Sequence, residues 1–275
     1  MAIVLLRGGG DLASGAALRL HRAGLKVIIC ELPQPLVVRR SVSFAEAVFT
    51  GETRVEEVRA CLAKDLEGIK QVLDQGDIAV VVDPAAETLE NLKRANSPLP
   101  PALVLVDGRM RKQPPETGID AAPLVIGLGP GFSAGKDCHA VIETNRGHRL
   151  GRVIWEGSAE ADTGIPERVA DYGAERVLRA PVDGTMVALA QIADRLEAGQ
   201  PVAQVNGAVV RAPFAGVLRG LLHPGIPVQR GMKIGDVDPR SDPRYCYLIS
   251  DKSLAVGGGV MEAILARPDI REHLW

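Results

Sequence analysis

Gly8, Gly10 and Ala13 stand at the spacing G-x-G-x-x-G/A, directly after the apolar run Ile3-Val4-Leu5-Leu6 and Arg7. That spacing suits a phosphate: the first glycine makes a tight turn, the second lets the backbone approach a pyrophosphate, and the third small residue lets helix pack on strand. Gly9, Asp11 and Ser14 complete the candidate anion-facing set. Glu31 lies about 20 residues past the turn, where an acidic side chain accepts hydrogen bonds from a ribose hydroxyl. The chemistry implied is recognition of a nucleotide or a dinucleotide of the NAD or FAD type. The alternative is a doubly wound domain that keeps the turn for packing and binds nothing there.

A second glycine cluster, Gly127, Gly129 and Gly131, leads to Gly135-Lys136. It fails as a phosphate loop of the form G-x-x-x-x-G-K-[ST], since the leading glycine would fall on Pro130 and the closing hydroxyl on Asp137. It either helps enclose a ligand beside the first turn or is a tight structural loop. Arg39-Arg40 sits in a long connection from Leu32 to Thr53, as an anion contact or as a solvated pair. Cys138-His139 are adjacent, and neighbouring side chains of a strand point to opposite faces, so no metal site is assigned. Cys30, Cys61, Cys138 and Cys246 form no C-x-x-C pair. Cys138 or Cys246 would handle sulfur or selenium only as a thiolate.

These residues need rigid elements to hold them. Ile3 to Leu6 reads as a buried strand, Leu12 to Ala23 as a helix ended by Gly24, and Lys26 to Glu31 as a second parallel strand. Lys64 to Leu73 reads as a helix, Ile78 to Val82 as a strand, Glu87 to Ala95 as a helix, and Ala102 to Val106 and Leu124 to Ile126 as strands. The alternation predicts an α/β, Rossmann-like domain with a mostly parallel sheet over residues 1–157, closed by a hairpin from Ala140 to Trp155. Residues 158–175 read as a polar connection. Near the end, Gly257-Gly258-Gly259 precedes a helix from Val260 to Ala266. That glycine run is either an anion site ahead of a helix or part of a segment that packs on the first domain, and Val260, Ile264 and Leu265 favour packing.

At 275 residues and 46% hydrophobic content the chain has ample core for two domains. Its 32 basic and 34 acidic residues leave −2, so no global field favours nucleic acid or an anionic membrane. Met1 to Leu6 is too short for a signal peptide and no membrane-length apolar run follows, which predicts a cytoplasmic protein.

From residue 175 to 239 the chain repeats itself. Ala180-Pro181-x-x-Gly184 recurs as Ala212-Pro213-x-x-Gly216, and Gly199-Gln200-Pro201-Val202 as Gly231-Met232-Lys233-Ile234, each pair 32 residues apart. The A-P-x-x-G and G-x-x-V pattern resembles the half-motif of biotinyl and lipoyl domains, which implies an all-β barrel-sandwich hybrid fold. Those carriers place a lysine on the hairpin between halves. Here that hairpin is Val205-Asn206-Gly207-Ala208 and no lysine occurs between Glu175 and Met232, so no biotin or lipoate is expected.

Three stretches taken together are similar to one family: Arg7 to Gly15, Gly127 to Phe132 with Asp137 to Thr144, and Ile234 to Arg240. It is the YqeB-type family of the selenium-dependent molybdenum hydroxylase system, and Cys246 to Leu265 resembles the tail of XdhC-type accessory proteins. Residues 245–275 are expected to form a strand and a helix that pack back on the first domain. The resemblance implies an accessory or maturation role toward a molybdenum hydroxylase, with molybdopterin dinucleotide among the possible ligands, and supplies no catalytic residues. Two rivals remain open: an NAD(P)- or FAD-dependent oxidoreductase, and a non-catalytic scaffold.

Overall fold

The computed structural model of the protein describes residues 2–111, 115–162, 164 and 172–274. The chain divides into two compact units, one of Met1–Pro35, Phe44–Asp162 and Ile249–Trp275, the other of Leu36–Ser43 and Thr163–Leu248. Part of the connection read over residues 158–175 lies outside the described residues.

In the first unit, β1 (Ile3–Arg7) is buried at every position and runs through the glycine turn into α1 (Asp11–Arg22), then β2 (Lys26–Glu31). After α2 (Ala47–Thr50) come β3 (Glu52–Val55), β4 (Val58–Ala63), α3 (Leu66–Asp74), β5 (Ile78–Val82) and α4 (Glu87–Leu92). β6 (Ala102–Asp107), β7 (Leu124–Leu128), β8 (Ser133–Ala134), β9 (Ala140–Ile142), β10 (Val153–Ile154) and β11 (Gly157–Ser158) complete its strands. Nine of these form one sheet in the order β10-β9-β7-β6-β1-β2-β5-β4-β3, antiparallel only at its two edges. The protein is thus mixed α/β with a large, parallel-dominated sheet. Parallel strands buried on both faces need continuous apolar runs, and β1, β2, β5 and β6 have them. Alternate residues feed opposite faces: Ile3, Leu5 and Ile28 join Ile69, Leu73, Leu89 and Leu92 of α3 and α4 in one core.

The sequence reading gave no strand between Leu32 and Lys64. β3 and β4 form a hairpin there, Val55 opposite Val58, with Glu56 and Glu57 as its two-residue turn and Glu56 at φ +53°. Tight hairpins favour Asn-Gly or Asp-Gly, so a Glu-Glu turn carries no local signal.

The tail differs more. Residues 243–246 form a 3-10 turn and not a strand, and one helix, α5 (Asp251–Leu265), runs through all three glycines before α6 (Pro268–Arg271). Its N-terminus is at Ser250, whose side chain accepts from the Ser253 N–H. Gly257-Gly258-Gly259 is therefore no anion turn. A Cβ on Gly257 would lie 2.6 Å from the Gly15 carbonyl oxygen, and one on Gly259 2.2 Å from the Gly151 carbonyl oxygen. Gly257 lets α5 approach α1 backbone to backbone, and Gly259 does the same toward the loop at Gly151.

The second unit carries β12 (Val177–Arg179), β13 (Gly184–Ala188), β14 (Arg195–Leu196), β15 (Pro201–Val205), β16 (Ala208–Arg211), β17 (Gly216–Leu221), β18 (Pro227–Val228) and β19 (Lys233–Asp238). They form two antiparallel sheets, β12-β19-β17-β14 and β16-β15-β13-β18. The repeat maps β13, β14 and β15 onto β17, β18 and β19, and each sheet takes two strands from each half. Neither half completes a sheet alone, which is the physical reason for the duplication. Asn206 and Gly207 make the hairpin turn at φ +48° and +79°.

Arg39 and Arg40 belong to this unit. The Arg39 guanidinium donates to the carbonyls of Tyr245 and Leu248, 3.1 Å each, and Arg40 Nε to the carbonyl of Leu221 at 2.9 Å. Arg39 is buried, so the two are not a solvated pair. They satisfy backbone oxygens that this segment would otherwise leave buried.

Candidate functional site

In the sheet order β1 lies between β2 and β6, so the chain winds outward in one direction to β2 and later in the other to β6. Ligands of open α/β sheets bind at the carboxyl ends of strands where the order reverses. The glycine turn is at that edge. Gly8 has φ +92°, which admits glycine readily, and a Cβ there would lie 3.3 Å from Arg109 Cγ. Gly10 has extended backbone and starts α1. The first amides of a helix have no partner within it, so Gly10 and Asp11 present the turn's anion-facing end.

Several neighbours are committed to the protein itself. The Gly9 N–H donates to Glu31 Oε2 at 2.7 Å, and a Cβ on Gly9 would come within 2.9 Å of Ala45 N. Glu31 Oε1 accepts from the Leu32 N–H, also at 2.7 Å, and burial raises the Glu31 pKa against the pull of these two amides. Ser14 donates its hydroxyl to the Gly9 carbonyl and accepts from the Phe44 N–H, 2.9 Å each. Asp11 Oδ1 accepts from the Ser253 hydroxyl at 2.7 Å. Ala13 is small because Gly108 passes over it, a Cβ on Gly108 falling 2.8 Å from the Ala13 Cβ. The Gly8 N–H donates to the Cys30 carbonyl at 2.8 Å, so Gly8, Gly9 and Ser14 brace the turn and Glu31 holds it from behind, which leaves the start of α1 at Gly10 and Asp11 as its open end.

The second glycine cluster is set one strand away, because β6 separates β7 from β1. A Cβ on Gly127 would strike the Phe132 ring at 2.3 Å, and one on Gly129, at φ +73°, the Thr144 hydroxyl at 2.4 Å. Gly131 has φ +106°. These glycines make room for Phe132 and Thr144.

Sequence reasoning passed over the charged residues of the edge. Arg7 ends β1 with only 5% of its surface exposed and donates to the Thr117 hydroxyl and, at 3.1 Å, to the Pro84 carbonyl. Arg109 is two residues beyond the end of β6 and grips Asp107 with both arms, Nε to Oδ1 at 3.0 Å and Nη2 to Oδ2 at 2.6 Å. Glu116 bridges the arginines, 3.0 Å from Arg109 and 3.6 Å from Arg7, and also pairs with Arg111. Burial and the Arg109 charge lower the pKa of Arg7, whereas Arg111 and Arg109 pull Glu116 down to about 2. The available signal was a charge at the end of each buried run, Arg7-Gly8 and Asp107-Gly108-Arg109.

The cysteines are not poised as nucleophiles. Cys30, Cys138 and Cys246 are buried; burial drives the Cys138 thiol up to about 11 and raises those of Cys30 and Cys246. Burial works against the thiolate that a chalcogen role for Cys138 or Cys246 would need. His139 spends its Nδ1 accepting the Val125 N–H at 3.0 Å. Among the described residues no group of three His, Cys, Asp or Glu is arranged to hold a metal ion, and no helix is long and apolar enough to cross a membrane. Titration of the native protein with a thiol reagent should consume Cys61, the half-buried one, first. Cys30, Cys138 and Cys246 should respond only with denaturant, and rapid native labelling of Cys246 would contradict the burial assigned to it.

Fold and site together define an α/β protein whose parallel sheet offers an anion-suited carboxyl edge beside a glycine turn. The chain is 46% identical over 263 residues, 96% of its length, to the uncharacterized protein YqeB of Escherichia coli strain K12, which supports a YqeB-type assignment. It spans about half, 47%, of that relative. No family model matches. An aspartoacylase family protein from Mesorhizobium loti is 14% identical, covering 86% of this chain and 84% of its own, with a TM-score of 0.27. The product-bound ectoine utilization protein EutE (DoeB) from Ruegeria pomeroyi is also 14% identical, covering 86% and 85%, with a TM-score of 0.26. Scores at that level leave the fold to be argued from this chain's own strands.

Proposed function

We propose that this chain binds a nucleotide or dinucleotide at the carboxyl edge of β1 and β6 and serves as an accessory protein in the maturation of a selenium-dependent molybdenum hydroxylase. The observation that carries the binding reading is the reversal of strand order at β1, with Gly8, Gly10 and the start of α1 on one side and Arg7 and Arg109 on the other. Helix amides and guanidinium forks are two of the commonest devices for phosphate recognition, and here they share one edge. A pyrophosphate-containing ligand fits this donor set, whether NAD, FAD or molybdopterin dinucleotide. Glu31, expected at a ribose from its spacing, has its two carboxylate oxygens on the Gly9 and Leu32 N–H groups and supports the turn instead. The maturation role rests on the family resemblance, and the hydroxylase partner goes with it.

The second unit is read as biotinyl/lipoyl-like, without the carrier lysine and so as a docking or structural module. Its interleaved halves and Asn206-Gly207 hairpin support that reading.

The test is a thermal-shift and calorimetric comparison of the chain against NAD, NADP, FAD, ATP, CTP and molybdopterin dinucleotide, a bound ligand raising the melting temperature by mass action. Gly10→Val should abolish the shift while the fold survives, since Gly10 is half-exposed with ordinary negative φ, unlike Gly9 or Gly8. A hit on the pterin dinucleotide or CTP supports maturation. Turnover of NAD or FAD would point to an oxidoreductase, and silence throughout would leave the scaffold.

A further inference from the structure

We propose that Glu116 is a built-in stand-in for a ligand phosphate, and that Arg7 and Arg109 form an anion site from which Glu116 withdraws when a phosphoryl or pyrophosphoryl group arrives. This rests on the nucleotide reading only in its location, because the same edge is used. Arg7 is withdrawn from water at 5% exposure, and a second guanidinium, Arg109, is close enough to repel it. A buried cation needs a nearby anion.

Asp107 does not serve both arginines equally. Its two carboxylate oxygens are gripped by the two arms of Arg109, and Oδ1 also accepts the Arg109 N–H at 3.2 Å. Asp107 also acts on Arg7 through space, but Glu116 is the carboxylate within ion-pair distance of both, at 3.0 Å from Arg109 and 3.6 Å from Arg7, and it pairs with Arg111 as well. Yet its side chain is 55% exposed, and it is carried by the connection between β6 and β7. An exposed carboxylate returns to water readily, whereas Arg7 at the end of a buried strand has nowhere to go. Departure of Glu116 frees Arg109 Nη1 and removes the carboxylate facing Arg7 Nη2, while Asp107 keeps the other arm of Arg109 in place close to Gly8, whose missing side chain leaves room for the Arg109 stem. Forked guanidiniums bind the oxygens of phosphate as they bind those of a carboxylate, which is why one can replace the other.

An internal ligand lowers apparent affinity by the fraction of molecules it keeps closed. Removing it should therefore strengthen anion binding. Calorimetric titration of the full chain at low ionic strength would use sodium pyrophosphate, then ATP, as probes. Glu116→Gln should bind pyrophosphate about ten-fold more tightly than the parent, Glu116→Asp should stay near the parent, and adding Arg109→Gln to Glu116→Gln should remove the gain. Asp120→Asn, an exposed neighbour, controls for the general loss of a negative charge and should change affinity less than about two-fold. Equal affinity of Glu116→Gln and parent, or an equal gain from Asp120→Asn, overturns the proposal. Should the parent bind ATP with Glu116→Gln unchanged toward either probe, the nucleotide site stands and the stand-in falls. Should Glu116→Gln gain pyrophosphate affinity while ATP and the other nucleotides do not bind, the stand-in holds and the nucleotide function falls. Equal gains for pyrophosphate and ATP identify the phosphoryl group, and not the nucleoside, as what the arginines read.

Discussion

Gly257→Ala is expected to destabilise the protein by about 2–3 kcal/mol, whereas Gly258→Ala, one residue on, should stabilise it by about 0.5–1 kcal/mol. Both positions are in the interior of α5, where alanine is the better helix former. They differ in what the new methyl meets. On Gly257 it falls 2.6 Å from the oxygen and 2.9 Å from the carbon of the Gly15 carbonyl, while on Gly258 nothing lies within 4 Å. The obstacle is backbone, and backbone does not swing aside, so α1 and α5 must separate along their contact. The contact is reciprocal, since a Cβ on Gly15 would lie 2.4 Å from the Ser253 carbonyl oxygen. Chemical denaturation of the two variants beside the parent decides the matter. If both shift in the same direction, close approach of the helices is not what the glycines are for.

Asp236→Ala should be the most damaging single change in the second unit, with a loss of about 3–5 kcal/mol. Asp236 is 2% exposed and accepts from Arg176 Nη1 at 2.7 Å, with Arg219 at 3.7 Å. Asp238, on the same face of β19, faces Arg219 at 3.7 Å and Arg240 at 2.6 Å. A ladder of alternating charges thus runs through the interior of a small β unit, and removal of the Asp236 carboxylate takes from the buried Arg176 the acceptor it holds at 2.7 Å in low dielectric. Arg240→Gln makes the contrast. Its side chain is 43% exposed, so the expected effect is under about 1 kcal/mol. Equilibrium unfolding in urea reads both. A value for Asp236→Ala no larger than that for Arg240→Gln would mean the buried pairs contribute specificity and little stability.

The elements of the parallel sheet were legible because each rests on local pattern. β1, β2, β5, β6 and β7 are unbroken apolar runs bounded by glycine, proline or acid, and α3 has the period of a half-buried helix with Asp65 accepting the Gly68 N–H at its start. β3 and β4 were not, being a half-exposed edge strand and its neighbour joined by two glutamates. Gly257-Gly258-Gly259 misled for a physical reason: three successive glycines have poor helix propensity, which is offset where Gly257 packs on Gly15 and Gly259 on Gly151. Cys246 is buried, and its Sγ faces the Leu218 carbonyl at 3.6 Å.

The sequence alone determined where chain direction changes and what repeats. Gly8 to Ala13 specify a tight turn between strand and helix, and the offset of 32 residues specifies two equivalent halves, since both are written in neighbouring residues or in self-similarity. Tertiary structure decided what each group is spent on. The Gly9 N–H goes to Glu31, Asp11 is met by Ser253 from 242 residues away, and Arg7 finds Glu116 across the end of the sheet. Such pairings depend on which strand lies beside which, and strand order is set by burial of the whole apolar surface at once, which no local spacing records.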